Sequence, residues 1–98
     1  MSEKGFFIKL IEIELMIPCA RSLKEKRSKL QGLKEHIRQK HNASVAEIGY
    51  QDKWQRAALA VCLVGTDKRQ LMSVGDRIHT LCEQGRDIEL LDFSHHWL

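Results

Sequence analysis

Proline occurs once in this 98-residue chain, at position 18, and cysteine only three times. Cys19, Cys62 and Cys82 are odd in number, widely spaced and form no CxxC pair, which argues against both a disulfide framework and a zinc ligand set. They read as reduced thiols, at least two of them buried. No apolar run approaches the roughly 20 residues of a membrane span, because "LIEIELMI" carries two glutamates and "ALAVCLVG" is too short. The opening "MSEKGFF" lacks the basic start, apolar middle and small-residue cleavage site of an export signal, so the cytoplasm is the expected location. His95 and His96 are adjacent, and neighbours on a strand point to opposite faces, which makes a poor chelate. Neither a metal nor another cofactor is expected.

What remains, 43% hydrophobic and 30% charged residues, suits one soluble domain over residues 1–98 with a single core. "FFIKLIEIELMI" alternates like a strand and stops at Pro18, with Phe7, Ile11, Ile13, Leu15 and Ile17 on one face. Ser22 stands three before Glu25, a capping box, and Leu23, Leu30, Leu33 and Ile37 continue with helical spacing to about residue 41. "ASVAEIGY" and "RAALAVCLVG" read as strands joined across "QDKWQ". Asp67, followed by Gln70, can cap a second helix carrying Leu71, Val74, Ile78, Leu81 and Cys82, with Gly85 as its stop. "DIELLDF" closes as a fourth strand. The order β-α-β-β-α-β, with right-handed crossovers, predicts an α+β, ferredoxin-like domain: a four-stranded antiparallel sheet with both helices on one face.

Charge is distributed unevenly along this pattern. Arg21 to His41 holds eight basic residues and two acids, a net +6, whereas the rest of the chain is −3. On a helical wheel Arg27, Lys34 and Arg38 line one edge of the apolar arc, Lys29 and Lys40 the other, and Lys26 falls inside it. A lysine there either snorkels past the end of the sheet or points at a bound anion. Arg21, Lys24, Lys26 and Arg27 surround a helix N-terminus, which already carries about half a positive charge. Together with Lys34 and Arg38 they form a candidate nucleic-acid or anion-binding patch.

Trp54 lies in a connection rather than in a periodic core segment, among Gln51, Asp52, Gln55 and Arg56. An indole beside amides and a guanidinium can stack on a base or anchor a partner protein; the alternative folds Trp54 under the hairpin with Asp52 paired to Arg56. The third strand contains no aromatic residue, which excludes the base stacking that RNA-recognition modules of this topology perform on their sheet. The face away from the helices, with Ile8, Leu10, Ala58, Ala60, Cys62 and Val64 around Glu12 and Glu14, suits a protein contact, and a homodimer through it or through an edge strand is the competing expectation. No Ser-His-Asp order, metal ligand set or glycine-rich loop supports catalysis. Acylphosphatases share this fold and hold phosphate in the loop before the first helix, where this chain has "PCARS", but their glycine-rich cradle is missing. No catalytic residue is assigned.

The stretches "IPCARSLKEKRSKLQGLK" and "SVAEIGYQDKWQRAALAV" resemble the YlxP-like family of small bacterial proteins, from about Phe6 to Phe93. The pattern RSLKEKR followed by QDxWQRA carries the resemblance, matching Arg21 to Arg27 and then Gln51, Asp52, Trp54, Gln55, Arg56 and Ala57. It implies a ferredoxin-like fold and a role linked to RNA or the ribosome, since the family's genes commonly lie near those for translation initiation and ribosome maturation. It supplies no catalytic residue. The reading is a non-enzymatic module that binds RNA or a ribosomal particle through its basic first helix and Trp-containing hairpin. The C-terminal "SHHWL" has no counterpart in the resemblance.

Overall fold

A computed structural model describes residues 5–98; residues 1–4, which begin the stretch read for an export signal, lie outside the described residues. The chain runs β1 (Phe7–Met16), α1 (Leu23–His41), β2 (Ser44–Gly49), β3 (Arg56–Gly65), α2 (Lys68–Gln84) and β4 (Glu89–Trp97). The sheet is antiparallel in the order β2-β3-β1-β4, with the first and third strands at its centre. This is the ferredoxin-like α+β arrangement that the order of elements predicts.

Period-2 alternation builds the core. Ile11, Ile13 and Leu15 of β1 lie opposite Val61, Leu59 and Ala57 of β3, and all six are buried. Leu30, Leu33 and Ile37 of α1, with Leu71, Ile78 and Cys82 of α2, close over them in one cluster. Each large aliphatic side chain removed from water contributes about 1.5–3 kcal/mol before the entropy of ordering it is subtracted. Both helices start on a side-chain cap: the Glu25 N–H donates to Ser22 Oγ at 3.1 Å, and the Arg69 N–H to Asp67 Oδ1 at 2.9 Å. The α1 helix ends on Asn42 in the left-handed conformation. Gly85 stops α2 with an extended backbone (φ −63°), and the left-handed residue of that connection is Asp87 (φ 61°).

Two features differ from the sequence reading. The last strand runs beyond Phe93 to Trp97, pairing His95 with Ile11 and Trp97 with Lys9. Phe93, His95 and Trp97 keep the inward phase, and the Trp97 ring packs edge-on to Phe7 at 6.3 Å. A long partner strand and an aromatic seat therefore override the polar look of "SHH". Among the thiols only Cys82 is buried; Cys62 is half-buried on the open face of the sheet and Cys19 is exposed. Burial, assisted by Glu83, pushes the Cys82 thiol up to about 12. No helix among the described residues is long and apolar enough to cross a membrane, and no group of three His, Cys, Asp or Glu among them is placed to hold a metal ion.

Candidate nucleic-acid interface

The loop entering α1 is fixed before its charges matter. Glu25 Oε2 accepts from the Arg21 N–H at 2.7 Å while its own N–H reaches Ser22, a reciprocal cap that orders residues 21–25. Gln55, the residue just before β3, donates through Nε2 to the carbonyls of Pro18 (3.0 Å) and Ala20 (3.2 Å), and the Ile17 N–H donates to the Gln55 carbonyl. The hairpin and the N-terminus of α1 are thereby held at the same end of the molecule.

From that anchored end a cationic stripe runs along the helix. Arg21, Lys24 and Arg27 are exposed and Lys34 is half-buried; among the described residues none of their charged side-chain nitrogens has a carboxylate within 4 Å. Spacings of three and seven keep Lys24, Arg27 and Lys34 on one flank, about 15 Å from first to last at 1.5 Å per residue. Glu25 serves the cap and Glu35 is engaged by Gln31, Arg38 and Gln39, so neither acid forms an ion pair with the stripe.

Two cations assigned to the patch from the sequence serve other purposes. Lys26 is 1% exposed, neither snorkelling nor open to an anion: its Nζ pairs with Glu47 of β2 at 3.2 Å and donates to the Tyr50 carbonyl. Its place inside the apolar arc aims the side chain under the sheet, and a carboxylate on the same side of β2 neutralises it there. Arg38 donates to the Val45 carbonyl at 3.1 Å and pairs with Glu35 at 3.1 Å. On the other flank of the helix Lys29 pairs with Asp87 at 3.0 Å.

The hairpin residues divide in the same way. Gln51 donates to the Glu47 carbonyl at 3.2 Å. Val45 and Glu47 are two apart on edge strand β2, so their carbonyls point to the same side, and Arg38 and Gln51 cap both. Side chains laid over an edge discourage another strand from pairing there. Arg56 pairs with Glu14 at 3.4 Å and stacks on the Tyr50 ring at 4.7 Å, so the expected Asp52–Arg56 pair is not formed. Tyr50 adopts a left-handed backbone (φ 58°), unfavourable for a residue with a side chain; its hydroxyl donates to Glu14 at 2.9 Å, and its carbonyl accepts from Lys26 and from the Lys53 N–H. Asp52 and Trp54 are left outside, and Trp54 is 52% exposed rather than folded under the turn. The residues brought together are thus Arg21, Lys24, Arg27 and Trp54, with Lys34 further along the helix. Gln51, Gln55, Arg56, Lys26 and Arg38 hold the frame that presents them.

One buried charge escaped the sequence reading. Lys9 occupies the inward phase of β1, in step with Phe7 and Ile11, and is 2% exposed beneath α2. The alternation itself was the available signal.

With this geometry in place, similarity to known proteins becomes informative. Residues 8–95 match the family model described as "Protein of unknown function (DUF503)". The chain is also similar to "Uncharacterized protein YlxP" of Bacillus subtilis (strain 168), with 36% identity over 78 residues that cover 80% of this chain and 85% of that protein. The matched span includes the capped loop, the cationic helix and the hairpin, and the chain belongs to the DUF503, YlxP-like family.

Proposed function

We propose that this protein is a non-enzymatic module that binds RNA, on the ribosome or on a precursor particle, through the phosphate backbone. The observation that carries this reading is the row Arg21, Lys24, Arg27 and Lys34, which no carboxylate among the described residues neutralises although thirteen acids are present in the chain. Crowding cations on a helix N-terminus costs a few tenths of a kcal/mol per exposed charge, and phosphates reverse the sign of that interaction. Trp54, exposed at the same end, adds a face on which an unpaired base can stack. Such contacts give affinity with little sequence preference. A partner of this kind places the protein in the cytoplasm.

Hydrolysis at Arg21 is disfavoured by the use already made of the loop: the Arg21 N–H is held by Glu25 and the Ala20 N–H by the Ile17 carbonyl. These are backbone donors that a phosphate cradle would need free. A second reading, a homodimer, is favoured by the open sheet face, where Val64 (63%) and Ile48 (51%) are exposed beside half-buried Ile8, Leu10 and Cys62. Capture from a cell lysate with and without ribonuclease separates the two: loss of partners after ribonuclease supports RNA. Partners that persist after ribonuclease, with a dimeric mass by light scattering, support the sheet face instead.

A further inference from the structure

The second candidate lies on the other side of the molecule, under α2. The Lys9 side chain is 2% exposed and lines a cavity, yet among the described residues its ammonium has no carboxylate within 4 Å. Its Nζ lies 4.9 Å from the Trp97 ring, and Lys68 approaches the same ring at 5.1 Å. An indole shared by two cations is a weak substitute for a counter-ion. Gly75 of α2 faces the amine, where a Cβ would make only ordinary contact with Lys9 Cε at 3.4 Å and Nζ at 3.5 Å.

Beside this amine lies a cavity of about 240 Å³ lined also by Asp76, His79, Phe93 and His95. Burial lowers the proton affinity of Lys9, and Asp76, acting from beyond ion-pair distance, only partly restores it. A buried ammonium of this kind is relieved by an anion that enters alongside it.

The charges around the cavity indicate which anion. Lys9 contributes one positive charge, Asp76 one negative, and Lys68 a further positive charge beyond the Trp97 ring. His79 turns Nδ1 towards Glu83 at 3.2 Å, and His95 stands at the mouth of the cavity on β4. Asp76 repels a dianionic phosphate about twice as strongly as a monoanion, and one negative charge is what the single Lys9 ammonium can offset. The Phe93 ring, edge-on to His79 at 4.5 Å, supplies an apolar wall. The volume lies below the roughly 300 Å³ at which sites for drug-sized ligands begin.

We propose that this cavity is a binding site for a small organic monocarboxylate, its carboxylate paired with the Lys9 ammonium and its apolar body against Phe93. The site is separate from the cationic stripe on α1, so its test is independent of RNA binding. The full chain is titrated with sodium acetate, propionate and benzoate against sodium chloride and sodium phosphate at equal ionic strength. Thermal midpoint and amide and imidazole NMR shifts are recorded. The expected result is a saturable rise in midpoint with a monocarboxylate, accompanied by shifts gathered at Gly75, His79 and His95. Lys9→Met should weaken the carboxylate response by roughly tenfold or more and raise the midpoint of the ligand-free protein, because an unpaired buried charge is removed. An equal response in Lys9→Met, a preference for phosphate, or no saturable response in the wild type overturns the proposal. The shift map needs no variant, and shifts centred elsewhere overturn it as well.

Discussion

The RNA reading makes a numerical prediction about salt. Four side chains, Arg21, Lys24, Arg27 and Lys34, are available to phosphates. Each phosphate neutralised on a single strand contributes about −0.7 to the slope of log affinity against log salt, so the wild-type slope should be about −2.8. Raising salt from about 50 mM to about 200 mM should therefore weaken binding about 50-fold. Replacing Lys24 and Arg27 together by alanine halves the number of contacts, giving a slope of about −1.4 and a loss of only about 7-fold over the same range. Fluorescence anisotropy of a labelled single-stranded oligoribonucleotide over a salt series measures both slopes, with circular dichroism to check that the variants fold. Lys26 provides the internal contrast. It lies between Lys24 and Arg27 in sequence but is buried against Glu47, so a Lys26 substitution should lower stability without changing the slope. A wild-type slope near zero, or one untouched by the double substitution, would refute the reasoning.

Other substitutions probe the frame. Lys26→Met leaves Glu47 without its partner and the Tyr50 carbonyl short of a donor, and should cost about 3 kcal/mol in urea denaturation. Ser22→Ala removes the α1 cap and should cost about 1 kcal/mol by the same assay. Gln55→Ala loses both bonds to the Pro18 and Ala20 carbonyls, for about 1–2 kcal/mol of stability; because those bonds hold the loop beside the hairpin, RNA affinity should fall with it. With its thiol raised to about 12, Cys82 should resist a thiol reagent at pH 8 until the chain unfolds, while Cys19 reacts at once. The unfolded thiol ionises near its ordinary value of 9.0, before the folded one, so the Cys82 contribution to stability is complete below pH 9 and declines as pH rises towards 12.

Much of the fold could be read from local patterns, and what could not depends on residues distant in sequence. The strand alternation around Ile11 and Ile13, the Ser22–Glu25 box and the Asp67 cap are local, and each element stands where its pattern puts it. The extension of β4 depends on what β1 offers along its length, which the polar "SHH" does not reveal. The fate of Lys26 was half legible. Its position inside the apolar arc announced something unusual, but the answer came from Glu47 and Tyr50, on an element that no wheel of α1 contains. Tyr50 gave no local sign of its left-handed backbone, because that conformation is stabilised by Glu14, Arg56 and Lys26 from three other elements. The candidate stripe was legible as charge but not as a set. The sequence assigns six cations to it, and tertiary partners remove Lys26 and engage Arg38.

That removal sharpens the functional argument. If the basic helix served only solubility, the placement of carboxylates around it would carry no pattern. Instead they occupy particular sides. Glu47 meets the buried lysine beneath the helix, Asp87 meets Lys29 on the opposite flank, and Glu35 is held among Gln31, Arg38 and Gln39. The flank carrying Lys24, Arg27 and Lys34 has no ion-pair partner among the described residues, and it begins at the end where Gln55 fastens the hairpin and Trp54 is exposed. Repulsion among those cations and from the positive end of α1 persists in the free protein, and a polyanion lying along the flank relieves both at once. An acidic protein surface offers the same sign of charge but no base for Trp54. Trp54→Ala should therefore weaken binding to an oligoribonucleotide at every salt concentration while leaving the salt slope unchanged, since stacking releases no counter-ions. A change of slope in that variant would mean that Trp54 positions the cations rather than meeting a base.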